Sequence, residues 1–227
     1  MSPWKFRIGE PTPALQYTRN ELERNGWDYD PDGKYLLLPV PTKKDYSHII
    51  TPNTVAIGGN ISLPCRCINL LSDPFYLSEN ARITAYCALR YAEEKMSIVW
   101  YDCKVMIIGW GRIGKCLAQL LQCMGADVTV YARKEIDRAA LTSLGYVSTD
   151  NLRNIKNYHV LFNTAPEPII SADMLSPQQI KIDLASIRGI GGEDVIWARG
   201  LPGKDAPESS GKLIAKTVER LRKEGIL

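Results

Sequence analysis

Long apolar segments are missing from this sequence of 227 residues. No apolar run approaches the roughly 18 residues that a membrane-spanning helix needs. The first residues, Met1 to Arg7, are not followed by the apolar stretch of about 7–15 residues that secretory signals contain. We therefore expect a cytoplasmic protein that does not associate with a membrane.

Cysteine-rich motifs and blocks of one charge are missing as well. The six cysteines form no C-x-x-C pair, and the closest two, Cys65 and Cys67, have no cluster of Cys or His that would complete the four ligands of a zinc site. We expect buried free thiols and no bound metal. The 28 basic and 25 acidic residues leave a net charge of only +3, so no nucleic-acid partner is expected.

The chain alternates short apolar runs with helical patterns, which is typical of α/β proteins with parallel sheets. The predicted fold is a doubly wound Rossmann sheet with a smaller N-terminal α/β lobe. Residues 1–96 form this lobe, joined by a C-terminal helix at 207–227, and residues 97–206 form the Rossmann domain. Strands are predicted at 4–8, 36–40, 54–57 and 195–198, and helices at 14–25, 78–95 (with Ser78 as its N-cap) and 207–223.

The strongest motif begins at Lys104. Residues 105–108 are a continuous apolar run, as in a strand that is buried on both faces. The run leads into Gly109-Trp-Gly-Arg-Ile-Gly114, a helical pattern follows, and 128–131 form a second apolar run. Strand, glycine turn, helix and strand in this order predict that a dinucleotide binds with its pyrophosphate at the start of the helix.

The end of the second strand indicates which dinucleotide is bound. Folds that bind NAD place an acidic residue here, where it accepts hydrogen bonds from the ribose hydroxyls. This chain has Ala132, Arg133 and Lys134 instead. Because an arginine pairs with a 2′-phosphate through charge-assisted hydrogen bonds, the predicted cofactor is NADP, with NAD as the alternative.

Three later segments, 163–166, 185–189 and 200–203, follow predicted strands. Ligands of such sheets bind beyond the carboxyl ends of the strands, so we expect these segments to line one pocket with the glycine turn. The predicted cofactor-binding residues are Gly109, Trp110, Gly111, Arg112, Ile113, Gly114, Ala132, Arg133, Lys134, Asn163, Thr164, Ala165, Pro166, Asp183, Leu201 and Pro202.

A set of short motifs extends over most of the chain from about residue 35 onward. Asp183-Leu-Ala-Ser186 is followed by Gly200-Leu-Pro-Gly203, Ala206-Pro207 and Gly211. Together with Leu38-Pro-Val40 and the glycine turn, they resemble the dipicolinate synthase family, in its A subunit. More distantly, the Rossmann domain resembles the NAD-binding domain of D-2-hydroxyacid dehydrogenases.

The resemblance implies an NADP-dependent oxidation of a dihydrodipicolinate-like cyclic dicarboxylate to the aromatic pyridine dicarboxylate of bacterial spores. It also implies a flavoprotein-like second subunit, and we expect a homo-oligomer. The candidates for substrate binding are Arg188, just past a strand end, the nearby Ser186, and Arg82 near the start of the predicted helix at 78–95, where the family has a Glu. The stretch between Arg188 and Gly200 is short, so a crossover helix is expected to be missing.

Histidine is scarce, and His48 and His159 are the two in the chain. His159 lies in a strand pattern and is predicted to be a satisfied core residue. A hydroxyacid dehydrogenase needs a histidine base beyond its last strands, and this chain has none there, so no general base is assigned. A nucleotide-sensing regulatory domain, or a family relative with lost or altered activity, stays open as an alternative.

Overall fold

The computed structural model describes residues 4–227, which divide into two compact units. The first extends to Ile83 and resumes at Pro202–Leu227, and the second is Thr84–Leu201. The division at Ile83 lies inside a helix, whereas the sequence places the boundary at residue 96. The domain limits given above stay a prediction.

The described residues contain eleven strands and six α-helices. The strands are β1 (Lys5–Ile8), β2 (Asp28–Tyr29), β3 (Tyr35–Leu37), β4 (Val55–Gly58), β5 (Arg66–Asn69), β6 (Lys104–Ile108), β7 (Asp127–Tyr131), β8 (Val147–Thr149), β9 (Val160–Asn163), β10 (Ile180–Asp183) and β11 (Ile196–Trp197). The helices are α1 (Pro13–Arg24), α2 (Pro74–Glu93), α3 (Arg112–Cys123), α4 (Glu135–Ser143), α5 (Leu201–Asp205) and α6 (Pro207–Lys223).

The first unit is built on a five-stranded parallel sheet in the order β2-β1-β3-β4-β5. Its central strands are apolar, and Phe6, Leu37 and Ile57 are almost completely buried. They share one core with residues of α1 and α6, among them Leu15 and Val218. Burial of these side chains is the main stabilising contribution in this unit, at about 1.5–3 kcal/mol for each large apolar side chain.

Helix α6 belongs to this unit through its contact with α1. The buried Thr18 hydroxyl donates to Ala14 O at 2.9 Å and lies 3.1 Å from Gly211 O. At Gly211 the helices approach so closely that a Cβ there would lie 2.3 Å from Ala14 O. A residue without a side chain is therefore required at this crossing.

The second unit contains a six-stranded parallel sheet in the order β11-β10-β9-β6-β7-β8. Read from β6, this is the strand order of the Rossmann fold, whose ligand site lies where the order reverses, beside β6. Strand β6 is buried from Val105 to Ile108. The predicted α/β fold with parallel sheets is confirmed.

Several elements differ from those predicted. Helix α2 begins at Pro74, because the Asp73 carboxylate accepts a hydrogen bond from Tyr76 N at 2.7 Å and acts as the N-cap. The predicted cap, Ser78, lies inside the helix and donates to Pro74 O at 2.8 Å. Strands β2, β5 and β8 and helix α5 have no counterpart among the predicted elements. Residues 184–195 contain no helix, as expected for this connection.

His159 is predicted from the sequence to be a core residue, and this prediction is wrong. It is exposed at the amino end of β9, where its Nδ1 accepts a hydrogen bond from Lys104 N at 2.9 Å. It therefore lies at the edge of the sheet opposite the strand ends where ligands bind. Among residues 4–227, no helix has both the length and the hydropathy to span a bilayer, and no group of three or more His, Cys, Asp or Glu side chains is arranged to hold a metal ion.

We predict that Gly211→Ala destabilises the protein by about 1–3 kcal/mol, because the added methyl group forces α1 and α6 apart. The control is Gly203→Ala in α5, where a Cβ has no heavy atom within 4 Å. Thermal and urea unfolding should show a lower midpoint for the first variant and an almost unchanged midpoint for the second. Equal midpoints would contradict the close helix contact.

Candidate nucleotide-binding site

The glycine turn follows β6 directly. Gly109 has a φ of +103°, a conformation that favours glycine, and its N–H donates to Tyr131 O at 2.9 Å. A Cβ at Gly114 would lie 2.2 Å from Gly109 O, so the first turn of α3 packs against the strand end. These two positions bring the start of α3 to the carboxyl edge of the sheet.

The start of α3 is open to an anion. Gly111 is the N-cap, no side chain caps the helix, and its first turn contains no acidic residue. A Cβ at Gly111 would have no heavy atom within 4 Å, so the space in front of the helix is free. The exposed Arg112 adds a cation to the positive end of the helix dipole, which suits a bound phosphate. The half-buried Ile113 follows in the same turn.

A small cavity of about 140 Å³ lies beside this turn. It contains six of the predicted cofactor-binding residues, Gly109, Trp110, Ala132, Arg133, Lys134 and Ala165, and four that the sequence did not single out, Tyr131, Asp137, Glu167 and Ile169. The Trp110 ring packs on Tyr146, with ring centroids 5.7 Å apart, and burial raises the pKa of that tyrosine. The cavity lies beyond the carboxyl ends of β6 and β7, where ligands of such sheets bind.

Arg133 is held by an acid in this cavity. Its two terminal nitrogens donate to the two carboxylate oxygens of Glu167, at 2.5 Å and 2.7 Å. Arg133 follows β7 and Glu167 follows β9, and these strands pair with β6 on its two sides. The ion pair therefore joins the loops on either side of the glycine turn.

The sequence has no acidic residue directly after β7, but the structure brings a carboxylate to Arg133. The acid comes from the loop after β9 rather than from β7, so the distance along the chain from the glycine turn does not reveal it. Asp137, in the first turn of α4, is a second acid in the cavity. Glu167 could have been singled out from the sequence, because it directly follows the predicted strand-end segment 163–166.

Asn163 and Asp183 form a buried network that we call the strand-end network. Asp183 Oδ1 accepts hydrogen bonds from Asn163 Nδ2 and Ala185 N, both at 3.0 Å. Its Oδ2 accepts from Gly189 N at 2.7 Å and Ile190 N at 2.9 Å. Both side chains are fully buried, so the role that these contacts indicate is to position the loops. Direct contact of either with a cofactor stays a prediction.

The loop after β9 is tied to the glycine turn as well. Asn163 pairs with both backbone groups of Ala165, at 3.0 Å and 3.1 Å. The Thr164 hydroxyl donates to Ile108 O at 3.0 Å, at the end of β6. Pro166 is exposed at the tip. Residues 163–166 therefore lie next to the turn, as their position in the sequence predicts.

The loop after β10 carries Ser186 and Arg188, which are both exposed. The Arg188 guanidinium donates to Ile190 O at 3.0 Å and also to Gly192 O, so two of its five N–H groups bind its own loop. The buried Lys181 anchors the far end of this loop by pairing with Asp194, and this hydrogen bond lowers the pKa of the Asp194 carboxyl.

A second arginine, Arg199, lies at the end of β11. Its guanidinium donates to Ala185 O at 2.9 Å, and the Trp197 indole donates to the same oxygen at 3.2 Å. No pattern in the sequence indicates it, because it stands outside the predicted segments. Leu201 and Pro202 are buried at the start of α5, and Arg82, on α2 in the first unit, is exposed and pairs with Glu79 at 3.1 Å.

A larger groove of about 680 Å³ lies in the first unit along α1, α2 and α6. The exposed Phe75 and charges of both signs line it, including Glu21, Glu79, Lys212 and Lys216. It contains none of the residues that the sequence motifs indicate. We therefore place the candidate site at the glycine turn, although the groove is bigger.

The chain is similar to known proteins in both sequence and structure. Residues 85–181 match the family described as D-isomer specific 2-hydroxyacid dehydrogenase, NAD binding domain. The A subunit of dipicolinate synthase from Bacillus subtilis is 33% identical over 137 residues, which are 53% of this chain and 46% of that protein. The crystal structure of dipicolinate synthase from Bacillus subtilis superposes with a TM-score of 0.80 at 19% identity, covering 99% of this chain and 97% of that one.

A second solved structure, of the dipicolinate synthase A subunit from Bacillus halodurans, gives a TM-score of 0.79 at 19% identity and covers 96% of each chain. The resemblance predicted from the sequence is confirmed. The sequence match spans less than half the length of the curated relative. The segment that matches the NAD-binding domain contains every residue of the small cavity, which supports a nicotinamide cofactor.

The strand-end network generates a prediction about stability. Asp183→Asn replaces an acceptor by a donor opposite the N–H groups of Gly189 and Ile190, and each buried group left without a partner costs about 1–3 kcal/mol. We expect a loss of at least about 2 kcal/mol in the free energy of unfolding, with faster amide exchange at both positions.

The matched control for this variant is Asp127→Asn, at an exposed carboxylate that begins β7. It removes the same charge from the same sheet and should leave the unfolding midpoint and the exchange rates unchanged. Equal stability of the two variants, measured by urea unfolding, would show that the buried carboxylate does not hold the loops.

Proposed function

We propose that this protein is an NADP-dependent oxidoreductase that oxidises a cyclic dicarboxylate of the dihydrodipicolinate type. The observation that carries the proposal is the uncapped start of α3 beside the cavity that Arg133 and Glu167 border. The resemblance to dipicolinate synthase supports the substrate class. Because the match covers less than half of that relative, activity, substrate and partners are all proposals.

The pyrophosphate is proposed to bind at the start of α3. Backbone N–H groups there have no side-chain cap, and the glycine at the N-cap leaves room for phosphate oxygens. The adenosine would lie toward Tyr131 and Ala132, with Arg133 and Lys134 near its ribose. Two cations at that place support NADP over NAD, with NAD as the alternative.

The substrate is proposed to bind at the loops after β9 and β10, where Arg188 and Ser186 are exposed. The three N–H groups of Arg188 that do not bind its own loop are available to a carboxylate. A nicotinamide held at this site would supply the hydride acceptor for oxidation of the dihydro ring, and the ring would also lose a proton as it becomes aromatic. The gain of aromaticity drives the loss of that proton, so we propose water as the base and assign no side chain to this step.

A hydride-transfer assay separates this function from its alternatives. Appearance of reduced cofactor absorbance with a dihydrodipicolinate substrate supports the oxidoreductase. Tight dinucleotide binding without turnover would favour a sensing domain or an inactive relative. The names of the relatives describe one of the subunits of a synthase, which supports a partner subunit, so the assay should be run with and without the flavoprotein-like partner.

The first prediction concerns the cofactor. Gly111→Val should weaken NADP⁺ binding at least about tenfold, because the side chain fills the space in front of α3 and keeps the phosphates from its N–H groups. The fold should be unaffected, since nothing lies within 4 Å of the added Cβ. Ala140→Val, at an exposed position of α4 outside the cavity, controls for the added side chain. Calorimetric titration with NADP⁺ that gave equal affinity for Gly111→Val and the unmodified protein would refute pyrophosphate binding here.

The second prediction concerns the substrate. Arg188→Ala should lower the affinity for pyridine-2,6-dicarboxylate by about tenfold or more, the loss of one charge-assisted pair, while the affinity for NADP⁺ stays within about twofold. Arg153→Ala, which removes the same charge from an exposed position of the same unit, should change neither. If Arg199→Ala weakens the dicarboxylate and Arg188→Ala does not, the carboxylate is bound at the end of β11 instead.

A further inference from the structure

The Arg133–Glu167 pair has a consequence for cofactor choice that rests on the proposed function. We propose that Glu167 is a specificity-determining residue, an internal anion that occupies the end of the Arg133 guanidinium where a 2′-phosphate would bind. NADP must then displace a carboxylate that NAD leaves in place. Glu167 thereby reduces the preference for NADP that Arg133 would otherwise confer.

The Arg133–Glu167 ion pair is bidentate. Both terminal nitrogens of Arg133 bind Glu167, one to each oxygen, at 2.5 Å and 2.7 Å. This is the bidentate arrangement in which arginine also binds phosphate. A carboxylate and a phosphate therefore compete for the same two donors rather than for different sides of the guanidinium.

Both partners are held in place by their backbones. Glu167 stands between Pro166 and Pro168, whose rings restrict the chain, and its carbonyl accepts a hydrogen bond from Ile169 N at 3.0 Å. The Arg133 carbonyl accepts a hydrogen bond from the Arg138 guanidinium at 2.7 Å. The backbone that carries the Glu167 carboxylate is thus a constrained segment.

The cavity is lined by equal numbers of basic and acidic side chains. Arg133 and Lys134 are balanced by Asp137 and Glu167, so these four side chains contribute no net charge. A 2′-phosphate that entered would meet two cations, one already paired, and two carboxylates that repel it. Removing the Glu167 charge frees the arginine and removes one repulsion, whereas the ribose hydroxyl of NAD carries no charge and gains little from either change.

The pair is also weak enough to be exchanged. The Arg133 and Glu167 side chains are 62% and 44% exposed, and water weakens ion pairs at this exposure. A phosphate group with nearly two negative charges can therefore displace the carboxylate. The expected effect of Glu167 on cofactor choice is for this reason several-fold and not absolute.

The test is a pair of calorimetric titrations, with NADP⁺ and with NAD⁺, on the full chain at low salt. Glu167→Gln keeps the shape of the side chain and should bind NADP⁺ about three- to tenfold more tightly than the unmodified protein, with NAD⁺ affinity within about twofold. Glu135→Gln is the matched control, because Glu135 is an exposed acid close along the chain, in the first turn of α4. It should change neither affinity.

A double-mutant cycle tests whether Glu167 acts on cofactor binding through Arg133. In an Arg133→Ala background, Glu167→Gln should shift the NADP⁺ affinity much less, since there is no guanidinium left to release. The inference is overturned if Glu167→Gln changes both cofactors equally or neither, if Glu135→Gln has the same effect, or if the effect persists fully without Arg133. These results leave the proposed function standing. Binding of neither dinucleotide by the folded, unmodified protein would overturn the proposed function and this inference together.

Discussion

The hydrogen bonds of the buried Asp183 carboxylate are the interaction on which the loops at the carboxyl edge of the second unit's sheet depend. The carboxylate holds the loop after β10 directly, through Ala185, Gly189 and Ile190, and the loop after β9 through Asn163. Thr164 then ties the second of these loops to the end of β6 and the glycine turn. Because Glu167 extends from the same loop, the side chain that reaches Arg133 is positioned by a network that starts at Asp183.

The energies of these contacts divide the site into a fixed and an adjustable part. Hydrogen bonds to a buried charge contribute about 1.5–3 kcal/mol each, whereas an exposed ion pair contributes about 1 kcal/mol or less. The strand-end network is of the first kind and fixes the loop backbones. The Arg133–Glu167 pair is of the second kind, so it can open when a competing anion arrives. A rigid edge that carries an exchangeable ion pair suits the binding of a phosphorylated ligand.

Local patterns predicted most of the second unit from the sequence. The apolar run of β6, the spacing of Gly109, Gly111 and Gly114, and the helical pattern of α3 are all contiguous, so each could be interpreted without knowledge of the fold. Glu167 could not be placed in this way, because its partner lies 34 residues away in another loop and the pairing depends on strand order. The predicted start of helix α2 was wrong because Ser78 and Asp73 are both good N-caps, and only the structure shows which one bonds a free N–H.

Both proposals require that a nicotinamide dinucleotide binds with its pyrophosphate at the start of α3. Titration of the ¹⁵N-labelled full chain with NADP⁺, followed by amide chemical shifts, tests this binding mode residue by residue. We expect the largest shifts on the amides of residues 109–114, with further changes at Arg133 and Glu167. Shifts confined to the groove along α1, α2 and α6, or no shifts at millimolar NADP⁺, would contradict it.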